Sequence, residues 1–251
     1  MKRQQRNYKK KILYRMEIKL SVIIPARNEE DNIEKTIREL LPYIDPSKTE
    51  IIVVNDHSED RTADIVKKIQ EQIPFLKIVD NLKTPGFANA LKSGFENAKG
   101  EFVLPVMADS CDAPETIQKM LKKAEEGYDL VCGSRYTKGG KRVGGPIIQG
   151  LFSRFVGITL HLFTGLPTRD IANAFKMYRK DILLSLDLKE RGFAVSMEAG
   201  IKFFINGYKI CDVPTIWYGR KKGKSKFKLS KTLPYIRLYL WTIRKRWMSL
   251  L

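Results

Sequence analysis

The sequence is poor in cysteine, which excludes two kinds of site. Its 251 residues include three cysteines, Cys111, Cys132 and Cys211, and no C-x-x-C pair. An odd number of widely spaced thiols predicts neither a disulfide framework nor a structural zinc site. His57 and His161 have no further histidine or cysteine at metal-binding spacing, so they add no zinc site. We therefore expect reduced cysteines in a cytosolic setting.

Long apolar runs are also scarce. The basic stretch at the start of the sequence is not followed by the apolar segment of a secretory signal. No run of about 18 or more apolar residues occurs, so we expect no bilayer-spanning segment. Residues 147–164 are strongly apolar but contain Gln149, Arg154 and His161. This composition predicts a helix that lies in a membrane interface rather than crossing it.

Acidic residues are missing from both ends of the sequence. Residues 1–16 contain seven Lys or Arg and residues 219–251 contain eleven, which together account for the net charge of +18. We predict a basic, solvated tail at 1–16, one folded domain at 17–230 and a basic amphipathic helix at 231–251. Basic arms of this kind indicate a polyanionic partner, either nucleic acid or an anionic membrane surface.

The segment 231–251 has the composition of an interfacial anchor. It mixes Trp, Tyr, Leu and Ile with the cluster Arg244, Lys245 and Arg246. Aromatic and aliphatic residues beside cations are typical of helices that lie on a membrane. The alternative is that its apolar stripe packs on the folded domain as core.

Short apolar runs alternate with helical hydrophobic periods through the first half of the sequence. The predicted strands are residues 20–24, 51–54, 76–79, 102–107 and 130–132. A helix is predicted after each of the first four strands, and Asn28 or Asp31 is placed to cap the first of them. This alternation predicts a doubly wound α/β fold with a mostly parallel sheet.

Two carboxylates stand where predicted strands end. Asp56 follows the second strand and Asp109 the fourth, while neither a G-x-G-x-x-G nor a G-x-x-x-x-G-K-[ST] motif occurs. Either acid could simply cap a loop or helix. In a ligand site, carboxylates would repel bare phosphate and need a metal ion or sugar hydroxyls as partners. A nucleotide that carries Mg²⁺ or Mn²⁺ satisfies both requirements.

Several motifs in order carry a family resemblance. They are SVIIPARNEEDNI, VVNDHSEDRT, GFANALKSGFENAKGE, MADSCDAPE, GSRY, RDIANAFKMYRK, GFAVSMEAGIKFFINGYKICDVP and RKKGKSKFKL. Each is weak alone, but together they resemble the family 2 glycosyltransferases, nucleotide-sugar enzymes with the GT-A fold. Within that family the sequence is most similar to the dolichol- or polyprenyl-phosphate mannosyl- and glucosyltransferases.

The resemblance implies three overlapping sets of site residues. The nucleotide-binding set is Pro25, Ala26, Arg27, Glu29, Val54, Asp56, Gly86, Ala108 and Asp109. The set that meets the phosphates of donor and acceptor is Arg135, Ser153, Arg220, Ser225 and Lys226. Asp109 and Arg135 would be the catalytic residues, with Mg²⁺ or Mn²⁺ held by Asp109.

The sequence departs from the family pattern at the metal motif and at the second strand. Met107 stands where the first acid of D-x-D is usual, and Asn55 and His57 replace the first acid and the glycine of DDGS. Metal binding must therefore depend on Asp109, and either Asp112 or a phosphate oxygen could complete the site. The donor is open between GDP-mannose and a UDP-hexose.

The acceptor determines whether a base is needed. A lipid phosphate is already anionic near neutral pH, whereas a hydroxyl nucleophile needs a carboxylate such as Asp170 or Glu198. The second half is richer in Arg and Lys, which favours a phosphate.

We expect metal-dependent, inverting sugar transfer to polyprenyl phosphate by a peripheral enzyme on the cytoplasmic membrane face. A membrane-spanning partner subunit is left open. The alternatives are a saccharide or protein hydroxyl acceptor, or a non-catalytic basic nucleic-acid-binding protein. The last is disfavoured because the strands lack aromatic platforms among basic residues, so we expect no nucleic-acid partner.

Overall fold

The computed structural model describes residues 18–219 and 232–248. The strands are β1 (Leu20–Ala26), β2 (Thr49–Asn55), β3 (Leu76–Asp80), β4 (Phe102–Pro105), β5 (Leu130–Ser134), β6 (Lys141–Val143), β7 (Lys176–Arg179), β8 (Ile210–Pro214) and β9 (Ile216–Tyr218). The described residues form a seven-stranded sheet in the order β3-β2-β1-β4-β7-β5-β8, and β6 pairs separately with β9. Only β7 runs antiparallel to its neighbours in the large sheet as described.

Helices cover both faces of this sheet. They are α1 (Ile33–Leu40), α2 (Thr62–Gln70), α3 (Phe87–Asn97), α4 (Thr116–Glu125), α5 (Ile147–Thr164), α6 (Lys180–Ser185), α7 (Val195–Ile205) and α8 (Leu233–Met248). Along β1, Val22 and Ile24 pack with α1, α2 and α4, whereas Ile23 packs with α3 and α7. This alternation follows from the two-residue period of a strand. The predicted doubly wound, mostly parallel fold is confirmed.

Three predicted boundaries were wrong for physical reasons. Strand β1 continues through Pro25, because the proline nitrogen points to the side where β4 has already ended at Pro105. Strand β4 ends at Pro105, two residues before the end of the predicted strand 102–107. Helix α1 begins at Ile33 without a side-chain cap, and Asn28 instead accepts a hydrogen bond from the Glu59 N–H at 2.9 Å.

A third hydrophobic cluster joins α5, α7 and α8. Leu160 of α5 and Leu238 of α8 are buried in it. Gly157 lets α5 approach the chain closely, since a Cβ there would lie 2.0 Å from the carbonyl oxygen of Arg169. The C-terminal helix therefore packs on the domain through one face.

Helix α5 corrects one expectation from the sequence. Within the described residues, one helix, α5, is long and apolar enough to cross a membrane. It has 18 residues and a mean hydropathy of 1.3. Arg154 and His161 do not lower that mean enough to exclude a span, although 22% of the helix is buried inside the protein. The expectation that no segment could span a bilayer was therefore wrong as a statement about composition.

Candidate active site

One cavity of about 520 Å³ opens at the carboxyl ends of β1 and β2. Open α/β folds bind ligands at this edge, because the loops that follow neighbouring parallel strands meet there. The cavity is lined by nine of the predicted site residues: Pro25, Ala26, Arg27, Glu29, Asp56, Gly86, Asp109, Arg135 and Ser153. Residues predicted for the donor and for the phosphates therefore lie in one place.

Other predicted residues lie outside the lining of this cavity. Val54 is fully buried against α3, because its side chain points to that face of the sheet. Ala108 is also buried, and its carbonyl oxygen accepts a hydrogen bond from the Thr36 hydroxyl at 2.9 Å. The side chains of both residues thus serve packing. The predicted phosphate-binding residues Arg220, Ser225 and Lys226 lie outside the described residues.

Asp56 lies at the end of the cavity that is formed by the loops after β1 and β2. Its carboxylate accepts hydrogen bonds from Asn81 Nδ2 at 2.7 Å and from the Gly86 N–H at 3.1 and 3.0 Å. Gly86 can present its N–H because its φ of +152° is a conformation that other residues rarely adopt. The Asp56 N–H donates to the Ala26 carbonyl oxygen at 2.8 Å, which places the acid at the mouth between β1 and β2. A carboxylate has further acceptor positions for a base or ribose.

The loop after β1 is held against the loop after β2. The N–H of Glu29 donates to the Thr62 hydroxyl at 2.9 Å, and the N–H of Asn28 donates to the Ser58 hydroxyl at 3.1 Å. Asn28 has a φ of 53°, a left-handed conformation that asparagine tolerates better than most residues. These bonds fix the wall that carries Arg27 and Glu29.

The loop after β4 brings two carboxylates together. Asp109 lines the cavity and accepts a hydrogen bond from the Cys111 N–H at 3.3 Å. Asp112 is buried, and its backbone forms an antiparallel β-bridge with Trp217 of β9. Within the described residues, Asp112 Oδ2 has no hydrogen-bond partner. Burial, followed by repulsion from Asp109, raises the pKa of Asp112 to about 7. An unpartnered buried oxygen beside a second acid is an arrangement that a cation would stabilise.

The acids of this loop fit a divalent cation of the Mg²⁺ or Mn²⁺ type. Oxygen ligands suit such ions, and Mg²⁺ often keeps one or two carboxylates together with substrate phosphates and water. In residues 18–219 and 232–248 no group of three or more His, Cys, Asp or Glu side chains is placed to hold a metal. Asp109 and Asp112 would therefore need substrate oxygens to complete the coordination.

Arg135 faces the cavity from a buried ion pair. Its Nε and Nη2 donate to the two oxygens of Asp170, each at 2.7 Å, and its backbone N–H donates to the same carboxylate at 2.9 Å. Burial lowers the pKa of Arg135, but the attraction of Asp170 outweighs burial and leaves this pKa above its ordinary value. Arg135 is thus a permanently charged, fixed guanidinium.

The two acids considered as bases are both occupied elsewhere. Asp170 is fully buried with its two oxygens on Arg135. Glu198 is buried, accepts the N–H groups of Lys189 and Glu190 at 2.8 to 3.0 Å, and pairs with Lys202 at 2.8 Å. Neither lines the cavity, so the geometry gives no support to either as a base.

Sequence reasoning missed several cavity residues from the second half of the chain. They are Arg142, Phe152, Arg191, Phe193, Trp217 and Tyr235. The guanidinium carbon of Arg142 stacks 4.9 Å from the ring centre of Trp217, and the Tyr136 hydroxyl lies 2.6 Å from the Ser153 hydroxyl. Long-range pairing of β6 with β9 brings Arg142 to Trp217, and no local pattern signals it.

The model of the family described as glycosyl transferase family 2 matches residues 21–186. The chain belongs to this family. The predicted family is confirmed.

Among curated relatives, the dolichol-phosphate mannosyltransferase of Pyrococcus furiosus is 32% identical over 224 residues, which cover 88% of this chain and 62% of that protein. An uncharacterized glycosyltransferase of Synechocystis is 35% identical over 170 residues, or 64% of this chain and 54% of that protein. The chain thus spans less than two thirds of each relative.

Solved structures of other proteins share the fold of this chain. Glucosyl-3-phosphoglycerate synthase from Mycobacterium tuberculosis, in complex with Mn²⁺, UDP and phosphoglyceric acid, has a TM-score of 0.67 and 20% identity. That match covers 90% of this chain and 78% of the synthase. S. aureus TarS 1-349 in complex with UDP-GlcNAc has a TM-score of 0.66 and 23% identity, over 89% and 66% of the two chains. At these identities the likeness concerns the fold.

Proposed function

We propose that this protein transfers a sugar from a nucleotide-sugar donor to polyprenyl phosphate, with inversion at the anomeric carbon. One observation carries the proposal: Asp56, Asp109 and Arg135, which come from three separate motifs, line a single cavity. A nucleotide, a diphosphate with its metal and an acceptor phosphate would need three such groups side by side. The Pyrococcus relative, named a dolichol-phosphate mannosyltransferase, supports the choice of acceptor.

The donor half would be formed by the loops after β1 and β2. Pro25 to Arg27 and Gly86 form its walls, and Asp56 accepts a hydrogen bond from the base or ribose. GDP-mannose and a UDP-hexose both fit this description. The UDP complexes of the structural neighbours are compatible with the second.

Mg²⁺ or Mn²⁺ would be held by Asp109 and Asp112, where it would act as a Lewis acid that stabilises the leaving diphosphate. The two acids would fix the position of that cation beside the cavity. Asp112 is suited to this because its buried oxygen lacks a partner in the described residues. The Mn²⁺ complex of the mycobacterial synthase is consistent with this assignment.

No protein base is needed for a phosphate acceptor. A phosphate monoester is an anion near neutral pH, so its oxygen can form the new bond to the anomeric carbon as the bond to the nucleoside diphosphate breaks. Arg135 would hold the acceptor with N–H groups that Asp170 does not use. The occupied state of Asp170 and Glu198 disfavours a hydroxyl acceptor, which requires a base.

The acceptor would enter from a membrane surface beside the cavity. Helix α5 exposes Ile147, Leu151, Phe155, Leu162 and Phe163, and α8 exposes Leu233, Leu240 and Trp247. Phe152 of α5 and Tyr235 of α8 line the cavity, so the exposed apolar surface continues to its edge. With Arg244 to Arg246 exposed on α8, this surface suits an anionic bilayer. We place the protein on the cytoplasmic membrane face, alone or with a membrane-spanning partner subunit.

A transfer assay tests the proposal. The protein is incubated with Mn²⁺, polyprenyl phosphate and labelled GDP-mannose, UDP-glucose or UDP-GlcNAc, and the organic phase is counted. We expect one donor to yield an organic-soluble product that mild acid hydrolyses, and no such product with polyprenol, which has a hydroxyl in place of the phosphate. Transfer to polyprenol or to a free saccharide, without transfer to polyprenyl phosphate, would overturn the choice of acceptor.

A further inference from the structure

We infer that Asp170 is a positioning residue that aims the guanidinium of Arg135 at the acceptor phosphate, and that Lys176 fixes the loop that carries Asp170. This inference rests on the proposed function, in which Arg135 holds that phosphate. Asp170 and Lys176 are both fully buried. Burying a charged side chain costs free energy unless the group is paired and hydrogen-bonded.

The Asp170 carboxylate holds Arg135 at three points. Two bonds of 2.7 Å fix the Nε and Nη2 edge of the guanidinium, and a third of 2.9 Å fixes the backbone N–H of the same residue. The main chain and the plane of the side chain are therefore locked together. A guanidinium has five N–H donors, so three remain for a ligand in the cavity. Because the side chain is already ordered, less entropy is lost when it binds phosphate.

Lys176 supports the loop that carries Asp170 from behind. Its Nζ donates to the carbonyl oxygen of Ile171 at 2.9 Å and also to that of Asn173. Asn173 Nδ2 in turn donates to the carbonyl oxygen of Gly133 in β5 at 2.8 Å. Lys176 is fully buried, and this burial lowers its pKa. The loop thus has two anchors, and Ala172 and Asn173 on it line the cavity.

Arg135 lies near the loop after β4 that carries Asp109 and Asp112, which explains why a fixed orientation of its guanidinium matters. Arg135 interacts electrostatically with Asp112, the proposed metal ligand, as well as with Asp170. Without Asp170, the guanidinium would be drawn toward Asp112 and would compete with the cation for that carboxylate. Asp170 therefore keeps two positive groups apart, the arginine on the acceptor phosphate and the cation on the diphosphate.

Steady-state kinetics with matched variants test the inference. The control is Asp129→Asn, which breaks a different Asp–Arg pair, Asp129–Arg179 at 3.0 Å, away from the cavity lining. We expect each of three variants, Asp170→Asn, Arg135→Lys and Lys176→Met, to raise the KM for the acceptor about tenfold or more. Their KM for the donor should change about twofold or less. In the control, both KM values should change about twofold or less. Asp170→Asn in an Arg135→Ala background should add about twofold or less, because the two residues act as a unit.

Two outcomes would overturn the inference: an unchanged acceptor KM in folded Asp170→Asn, or effects of Asp170 and Arg135 that multiply independently. Should Asp170→Asn not fold, Arg135→Lys carries the test, because lysine keeps the charge but cannot make the forked contact.

Binding of inorganic phosphate, measured by calorimetry, separates this inference from the proposed function. If the wild-type protein transfers no sugar, the proposed function fails. The positioning role then still predicts about tenfold weaker binding of inorganic phosphate in Asp170→Asn than in Asp129→Asn. Equal binding by the two variants would contradict it.

Discussion

The carboxylate of Asp56 accepts the backbone N–H of Gly86 through both oxygens, at 3.1 and 3.0 Å. This contact joins the end of β2 to Gly86, the residue that precedes α3, across 30 residues of sequence. Asn81 reinforces it with a bond of 2.7 Å to the same carboxylate. Asp56 therefore both holds the cavity wall at Gly86 in place and faces the cavity.

Replacing Asp56 by alanine should weaken nucleotide binding. The change leaves the Gly86 N–H and Asn81 Nδ2 without their acceptor, and so it should cost about 1–3 kcal/mol of stability. Affinity for UDP or GDP with Mn²⁺, measured by calorimetry, should fall about tenfold or more. Asp80→Ala is the control, because Asp80 accepts a bond from Asn55 at 2.8 Å outside the cavity lining. Equal nucleotide affinity in the two variants would refute the donor assignment.

Replacing Asp112 by asparagine should have opposite effects with and without metal. In the metal-free protein the change removes a buried charge next to Asp109, which should raise the melting temperature by about 2–4 °C for each kcal/mol gained. The additional stabilisation on adding Mn²⁺ and nucleotide should shrink. Asp212→Asn is the control, since Asp212 also has a buried oxygen without a partner in the described residues.

The melting temperatures distinguish a metal ligand from a structural acid. Asp212→Asn should leave the response to Mn²⁺ unchanged. A lower metal-free melting temperature in Asp112→Asn, with its Mn²⁺ response intact, would mean that Asp112 serves the fold alone.

Charging the exposed face of α5 should release the protein from membranes. Phe155→Glu combined with Leu162→Glu places two carboxylates on residues that are 61% and 70% exposed. Cosedimentation with anionic vesicles should fall about tenfold or more, since each buried side chain contributes roughly 1.5–3 kcal/mol. Leu82→Glu is the control, because Leu82 is 93% exposed and lies outside α5 and α8. Undiminished cosedimentation of the double variant would contradict the interface assignment.

An alkaline carbonate wash distinguishes contact with the surface from insertion. A peripheral protein should be extracted from the membranes, as we expect. Retention would indicate that α5 crosses the bilayer, which its length and composition permit.

The apolar runs of the sequence were sufficient to predict five strands of the sheet, each within about two residues of its bounds. They were insufficient for β7, a four-residue strand in which two residues are basic. Its insertion between β4 and β5 depends on long-range antiparallel pairing. Buried Lys176 interrupts the apolar pattern, and its burial makes sense only with the carbonyl groups that surround it.

The same distinction applies to the site. Motif order was sufficient to place Asp56, Asp109 and Arg135 near one another, because each follows a strand that ends at the same edge of the sheet. It could not show whether Asp170 and Glu198 are available to act as bases, since that depends on their buried partners. Side-chain contacts of this kind become visible only in three dimensions.

The most direct test of the central claim is the Mn²⁺-dependent binding of a nucleoside diphosphate, measured by calorimetry in the wild-type protein and in Asp109→Asn. Asp64→Asn, at an exposed site in the first turn of α2, is the control. We predict that Mn²⁺ strengthens UDP or GDP binding by the wild type and by the control. In Asp109→Asn that gain should be lost, a change of about 10–100-fold or more. Wild-type affinity in Asp109→Asn, with the same dependence on Mn²⁺, would contradict the account.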